Sequence, residues 1–191
     1  MGPAQGGGPM TRRFLFLQAS ARPDGNALAV ARQAASFLPK AVAQDWHDLT
    51  SPALEPFEDL RHGGPGYGPP SGVAGALAQA TVAASDIVLV APLYWYGLPA
   101  PAKLYLDHWS HWMRVPALGF RAAMADKRMW LVMSHAGSTP AERAPALEGL
   151  RLASAYLGMG WGGVLLVDAN SPGQWQDDPS ALAQAAGFFP S

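Results

Sequence analysis

Hydrophobic residues along the chain concentrate in short runs that are separated by longer segments of mixed character. Four of these runs are almost continuously apolar, which is typical of strands buried on both faces of a parallel sheet. A fifth segment alternates loosely between apolar and polar positions. The predicted strands span residues 14–19, 41–49, 86–91, 128–134 and 163–168.

Between the predicted strands, apolar residues recur at helical spacing. In the first such segment they recur from Leu28 to Leu38, and Pro39 ends the pattern. The predicted helices span residues 27–38, 72–84, 102–113, 144–157 and 179–186. Residues 50–70, rich in Pro and Gly, are predicted to form a long irregular connection.

Strands that alternate with helices predict an α/β fold with a doubly wound, five-stranded parallel sheet and helices on both faces. Ligands of such folds bind at the carboxyl ends of the strands. The 191 residues favour one domain, at 11–191, after a Gly- and Pro-rich leader at 1–10 that we expect to be disordered. The loops after the first, third and fourth strands are therefore the candidate site.

Composition narrows the possible functions. A formal net charge of −1 with 14% charged residues gives no reason to expect a nucleic-acid partner. No apolar run approaches the roughly 18 residues of a membrane span, so we expect no membrane insertion and a cytoplasmic location. The absence of cysteine excludes a thiolate-bound metal and a cysteine nucleophile. Redox chemistry would therefore need an organic cofactor.

The loop after the first strand, at residues 20–27, brings a hydroxyl, an amide and Arg22 to the start of a helix. Helix amino termini bind anions through unpaired N–H groups and the helix dipole, so this loop predicts a phosphate site. The alternative is an ordinary capped turn, with Asn26 as N-cap and Gly25 in an unusual backbone conformation. A literal G-x-G-x-x-G at 158–163 precedes a strand, and we interpret it as a helix end and turn.

The loop after the third strand, at residues 92–101, carries three adjacent aromatic residues between prolines. Such residues can present a flat apolar surface to a planar ring. The alternative is that Trp95 and Tyr96 cover the core or a subunit contact.

Together the two loops, Ser-x-Arg-x-x-Gly-Asn and Pro-x-Tyr-Trp-x-x-x-Pro-Ala-x-x-Lys-x-Tyr-x-Asp, resemble the NAD(P)H-dependent FMN reductase and quinone reductase family of flavodoxin-like proteins. The resemblance covers residues 13–169 and implies FMN as cofactor and NAD(P)H as reductant. It implies phosphate contacts for Ser20, Arg22, Asn26 and Ala27. It also implies flavin-ring contacts for Pro92, Leu93, Tyr94, Trp95 and Tyr96.

The third candidate loop follows the fourth strand and begins Ser134, His135, Ala136, Gly137. In proteins similar to this one the loop meets the flavin edge, where N–H donors would stabilise the negative charge of the reduced ring. His135 could contribute to this, or it could be a solvent-facing loop residue.

The sequence thus predicts an FMN-dependent oxidoreductase that passes hydride from NAD(P)H to a quinone or a similar small acceptor, with no protein nucleophile. Free flavin, azo dyes and nitroaromatics are other acceptors we consider, and the family resemblance implies a homodimer or homotetramer. Ala27 stands where a hydroxyl residue is common in similar proteins, so one phosphate hydrogen bond must come from the backbone alone. The loss of the hydroxyl weakens phosphate binding by about 1–2 kcal/mol. The alternatives are an electron carrier, which the weak net charge opposes, and an FMN-free binding module.

One further pair of residues has a spacing that metal ligands use on a helix. His108 and His111 stand three residues apart in a predicted helix and could point to the same side. Because Trp109 and Trp112 interleave with them, we favour a helix whose aromatic residues pack in the core or at an interface, and we predict no metal.

Overall fold

The computed structural model describes residues 12–62 and 66–190, so the predicted leader at 1–10 lies outside the described residues. Five strands form one parallel sheet in the order β2-β1-β3-β4-β5. The strands are β1 (Arg13–Gln18), β2 (Ala43–Asp48), β3 (Asp86–Pro92), β4 (Arg128–His135) and β5 (Gly160–Asp168). The helices are α1 (Asn26–Ala35), α2 (Gly72–Ala83), α3 (Ala100–Trp112), α4 (Phe120–Ala125), α5 (Pro140–Tyr156) and α6 (Pro179–Ala185).

Two hydrophobic cores enclose the sheet. Alternate residues of β1 show the division: Leu15 and Leu17 pack under α2 to α5, whereas Phe14 and Phe16 pack under α1 and α6. Burial on both faces explains why the central strands are continuously apolar. The doubly wound sheet predicted from the sequence is confirmed, and β1 lies at the point where the strand order reverses.

Several element bounds differ from the sequence-based prediction. Helix α4 was not predicted, because its six residues offer only Phe120 and Met124 as buried positions. Helix α5 begins four residues early, since Thr139 and Glu142 form a reciprocal capping box ahead of Pro145. Among the described residues, no helix is long and apolar enough to cross a bilayer.

The glycine-rich segment 158–163 is a helix end only at its first residue. Gly158 has the left-handed φ of +75° that ends a helix, and the predicted turn is present at residues 157–158, but β5 already begins at Gly160, so the rest of the segment is strand. Gly162 lies against the indole of Trp130, where a Cβ would come within 2.2 Å of the ring. Glycine is therefore needed at position 162 of β5, because a larger residue would not fit beside Trp130.

Candidate functional site

A cleft of about 170 Å³ lies at the carboxyl edge of the sheet and joins the three predicted loops. It is lined by Ser20, Arg22, Asp24, Gly25, Asn26, Pro92, Tyr94, Ser134, His135, Ala136, Ala169, Asn170 and Pro172. Five residues predicted as ligand contacts do not line it: Ala27, Leu93, Trp95, Tyr96 and Gly137. Ala169, Asn170 and Pro172 form a fourth wall that was not predicted from the sequence, although their loop also follows the carboxyl end of a strand, β5.

The first loop folds tightly around Ser20. The buried Ser20 Oγ accepts a hydrogen bond from the Arg22 N–H at 3.1 Å, and a Cβ on Gly25 would lie only 3.0 Å from that oxygen. Gly25 has φ −64°, so the unusual backbone angle considered for it is wrong; clearance against Ser20 explains the glycine. Gly25, and not Asn26, is the N-cap, and no side chain caps α1. The amino terminus of α1 therefore faces the cleft without a side-chain cap, as an anion site requires.

Asn26 bonds to another part of the chain. Its amide donates to the carbonyl of Ser171 at 2.9 Å, and more weakly to that of Ala169 at 3.4 Å. Its side-chain oxygen accepts a hydrogen bond from the backbone N–H of Trp175 at 3.4 Å. This side chain therefore joins the start of α1 to the loop after β5. Asn26 can therefore contact a phosphate only through its backbone N–H, and the same is true of the buried Ala27.

Arg22 is the cation of the first loop, and it already has a partner. Its Nε lies 3.3 Å from Asp24 Oδ1, and both side chains are about half exposed. A bound phosphate would compete with Asp24 for this guanidinium, because both are anions that accept from the same donor.

The aromatic loop forms a tight turn. Trp95 and Tyr96 both have positive φ, +50° and +63°, which is the type I′ conformation usually filled by Asn and Gly. The Trp95 side chain is 95% exposed, and those of Tyr94 and Tyr96 are about half exposed. The interpretation that Trp95 and Tyr96 cover the core is therefore wrong, and the aromatic surface faces outward beside the cleft.

The loop after β4 differs from the expectation in its donors. Gly137 adopts a left-handed φ of +61°, and its N–H donates to Asp168 Oδ1 at 2.8 Å. That amide is therefore occupied by a carboxylate and does not point freely at the cleft. The Ser134 side chain is buried and lines the cleft together with Ala136.

His135 is enclosed at the end of β4. Its side chain is 8% exposed, so the solvent-facing alternative is wrong. Nε2 lies 3.4 Å from Arg143 Nη1, and because a guanidinium only donates, Nε2 is the acceptor and Nδ1 carries the proton. Nδ1 lies 3.7 Å from Asp168 Oδ1. Burial, and secondly the charge of Arg143, lower the pKa of His135, which keeps the ring neutral at pH 7.

His108 and His111 of α3 form hydrogen bonds to the irregular connection at residues 50–70. His108 Nε2 and His111 Nε2 donate to the carbonyls of Glu55 and Gly68 at 2.9 and 2.8 Å. Tyr67 stacks on His111 with ring centroids 4.8 Å apart. Within residues 12–62 and 66–190, no group of three His, Cys, Asp or Glu side chains could hold a metal ion.

Comparison with known proteins agrees with this architecture. A family model described as "Flavodoxin-like fold" matches residues 12–187. A Bacillus subtilis (strain 168) protein, which bears the provisional name NAD(P)H-dependent FMN-containing oxidoreductase YwqN, is 25% identical over 134 residues, 70% of this chain and 74% of its own.

Solved structures share the fold at lower identity. The Trp repressor binding protein from Bacillus subtilis superposes with a TM-score of 0.72 at 18% identity, covering 92% of this chain and 97% of that one. An FMN-dependent NADH-azoreductase from Bacillus anthracis, solved with FMN, gives 0.65 at 10% identity, covering 92% and 96%. The family match spans nearly the whole chain and the observed topology agrees with it. The chain belongs to the family of proteins with the flavodoxin-like fold.

Proposed function

We propose that this chain binds FMN in the cleft and transfers reducing equivalents from NAD(P)H to a quinone or a similar small acceptor. The observation that carries the proposal is the meeting of three loops from distant parts of the sequence in one cleft. One end offers an anion site and the other offers apolar and aromatic surface. The names of the relatives support FMN as cofactor and NAD(P)H as reductant.

The residues of the first loop fit a phosphate. The uncapped amino terminus of α1, the Ser20 hydroxyl and the Arg22 guanidinium offer hydrogen-bond donors and positive charge. The backbone N–H groups of Asn26 and Ala27 belong to the same helix start. These groups would hold the phosphate of FMN.

The other end of the cleft fits a planar ring. Pro92 and Tyr94, from the end of β3 and its loop, and Ser134, His135 and Ala136, from the end of β4 and its loop, all line the cleft. The cleft is smaller than the roughly 300–1,000 Å³ of most ligand pockets, so the ring would extend past it along the exposed aromatic turn. Leu93, Trp95 and Tyr96 would then contribute to its surroundings from that turn.

Bound FMN supplies hydride chemistry that no side chain here can perform. The overall reaction would convert NAD(P)H, a proton and a quinone to NAD(P)⁺ and a hydroquinone. The protein would bind and orient both substrates in turn, with the exposed ring of Trp95 limiting access by water. No residue acts as a nucleophile in this scheme.

We propose a homodimer as the working assembly, and the alternative is a homotetramer. A largely apolar groove of about 510 Å³ lies between α3 and α5 beside Tyr96. Leu152 and Tyr156 of α5 are also exposed. Contiguous apolar surface of this kind is typical of a subunit contact. Light scattering of the purified protein measures the number of subunits. The cytoplasmic location expected from the sequence stays a prediction.

The deciding experiment is purification followed by anaerobic titration. We expect a yellow protein with flavin absorbance that NADH or NADPH bleaches and that 1,4-benzoquinone, an azo dye, a nitroaromatic or free FMN reoxidises. A protein that neither retains nor binds added FMN would support the FMN-free binding module and overturn the proposal. A flavin that NAD(P)H does not bleach would indicate an electron carrier.

A further inference from the structure

A carboxylate stands directly behind one wall of the cleft. Asp168 ends β5 opposite His135 in the parallel register, and its Oδ1 accepts the Gly137 N–H at 2.8 Å. The residues next to this contact on either strand, Ala136 and Ala169, both line the cleft. Asp168 is therefore the chain neighbour of one residue that lines the cleft, Ala169, and accepts a hydrogen bond from the neighbour of another, Ala136.

Asp168 and the side chains around it carry more negative than positive charge, and solvent screens part of the field of Asp168 because its side chain is 57% exposed. Asp178 contributes a second carboxylate, whose Oδ2 accepts the Asp168 N–H at 3.1 Å. Arg143 is the cation facing His135, and its Nη1 also donates to the Ser138 carbonyl. With His135 neutral, two carboxylates and one guanidinium give the cluster a net charge of −1.

We propose that Asp168 is a positioning residue with two effects: it fixes the loop after β4 through Gly137, and its charge lowers the reduction potential of bound FMN. The second effect follows from Coulomb repulsion, since reduction adds negative charge to the flavin and the screening length is about 8 Å at physiological salt. A lower potential makes the bound cofactor a stronger reductant toward its acceptor. The second effect rests on the proposed function; the first does not.

Two substitutions separate the two effects. Asp168→Asn removes the charge but keeps an oxygen that accepts the Gly137 N–H, whereas Asp168→Ala removes both. Asp126→Asn is the matched control, because Asp126 precedes β4 at the amino edge of the sheet. The eight residues of β4 at about 3.3 Å each separate the control from the cleft.

The loop effect is measured without cofactor. In flavin-free protein, we expect amide exchange at Gly137 to be at least tenfold faster in Asp168→Ala than in wild type, and within about twofold of wild type in Asp168→Asn. Unchanged exchange in Asp168→Ala would overturn the positioning role.

The charge effect is measured as a potential, by equilibrating FMN-loaded protein with a reference dye. For Asp168→Asn we expect the preference for reduced over oxidised FMN to rise about tenfold, equivalent to about 30 mV for a two-electron couple. Asp126→Asn should change it by less than about twofold. An equal shift in the two Asn variants would overturn the charge effect.

Measuring the potential at pH 7.0 and pH 8.5 tests whether Asp168 acts on the flavin by its own charge or by changing the protonation of His135. Arg143, Asp168 and Asp178 are the charged groups that act on His135, and losing Asp168 would lower the His135 pKa further. His135 therefore stays neutral in both proteins, and we expect the same shift at both pH values. A shift at pH 7.0 alone would assign the effect to His135 and overturn our assignment. Wild-type protein that binds no FMN would instead refute the proposed function, leaving the exchange result to stand by itself.

Discussion

The backbones of Tyr94 and Gly97 exchange two hydrogen bonds, with N–O distances of 3.1 and 3.0 Å, and so close a turn with Trp95 and Tyr96 at its centre. Both central residues lie in the left-handed region, which costs about 1–2 kcal/mol for each side chain that has a Cβ. Strain of this kind concentrates where a protein binds ligands. The turn therefore sacrifices stability to hold two aromatic rings outward beside the cleft.

Replacing Tyr96 by glycine should stabilise the fold, because glycine adopts positive φ without steric cost. Its greater entropy in the unfolded chain offsets part of the gain, so we expect a net increase of about 0.5–1 kcal/mol in the free energy of unfolding. Urea unfolding measures it. Gly97→Ala is the control at the neighbouring position, which lacks positive φ, and an equal gain there would contradict the strain argument.

Trp95→Ala should leave the fold intact and change turnover. The side chain is almost fully exposed, so its loss removes no core contact, whereas truncation of a buried Trp costs about 3–5 kcal/mol. We expect an unfolding free energy within about 0.5 kcal/mol of wild type and altered acceptor kinetics. A large drop in melting temperature with normal activity per flavin-loaded protein would show that Trp95 is a packing residue.

Substitutions at Arg22 and at its partner Asp24 should change FMN affinity in opposite directions. Arg22→Ala removes the loop's cation, and because the side chain is half exposed we expect the FMN dissociation constant to rise about tenfold. Asp24→Asn removes the competing anion, and we expect binding about twofold to fivefold tighter. Fluorescence titration of flavin-free protein measures both constants. Undiminished FMN affinity in Arg22→Ala would refute the phosphate assignment.

His135 should make stability depend on pH. Its pKa is lowered by burial, so the folded protein binds this proton less readily than the unfolded chain does. The resulting stability is complete above the unfolded pKa of about 6.5 and declines as pH falls below it. Between pH 7.5 and 5.5, flavin-free wild type should lose more unfolding free energy than His135→Gln. The exposed His62→Gln should behave like wild type, and identical slopes in all three proteins would contradict the prediction.

Gly162→Ala tests the close approach of β5 to Trp130. The added Cβ would overlap the indole, and we expect a loss of about 1–3 kcal/mol in unfolding free energy. Gly149→Ala, in the middle of α5 with open space around its Cα, should instead gain about 0.5–1 kcal/mol. Thermal melts of the two variants should therefore shift in opposite directions.

The sequence predicted the sheet because the interior positions of its central strands are continuously apolar, a pattern that few other structures produce. It also predicted which loops meet, since parallel strands align their carboxyl ends. Element ends were less predictable: the start of α5 depends on hydrogen bonds between Thr139 and Glu142, which no hydrophobic pattern records.

The site contacts that sequence could not reveal join distant residues. The Gly137 amide meets Asp168 only because β4 and β5 pair in one particular register, with an irregularity between Met129 and Trp130. Likewise, nothing near Asn26 in the sequence indicates that its amide bonds to a loop 145 residues away. The assignment of individual residues to FMN contacts stays a prediction.

The hydrogen bond from Asn26 to Ser171 also dictates when the cleft can exist during protein synthesis. When a ribosome has just added residue 160, all of β1 and α1 has been translated, yet neither the Ser171 carbonyl that fixes Asn26 nor the cleft wall at 169–172 has been translated. The nascent chain thus has an anion site without its fourth side. Cofactor loading would accordingly follow translation of β5 and of the loop after it, which supplies the cleft residues at 169–172.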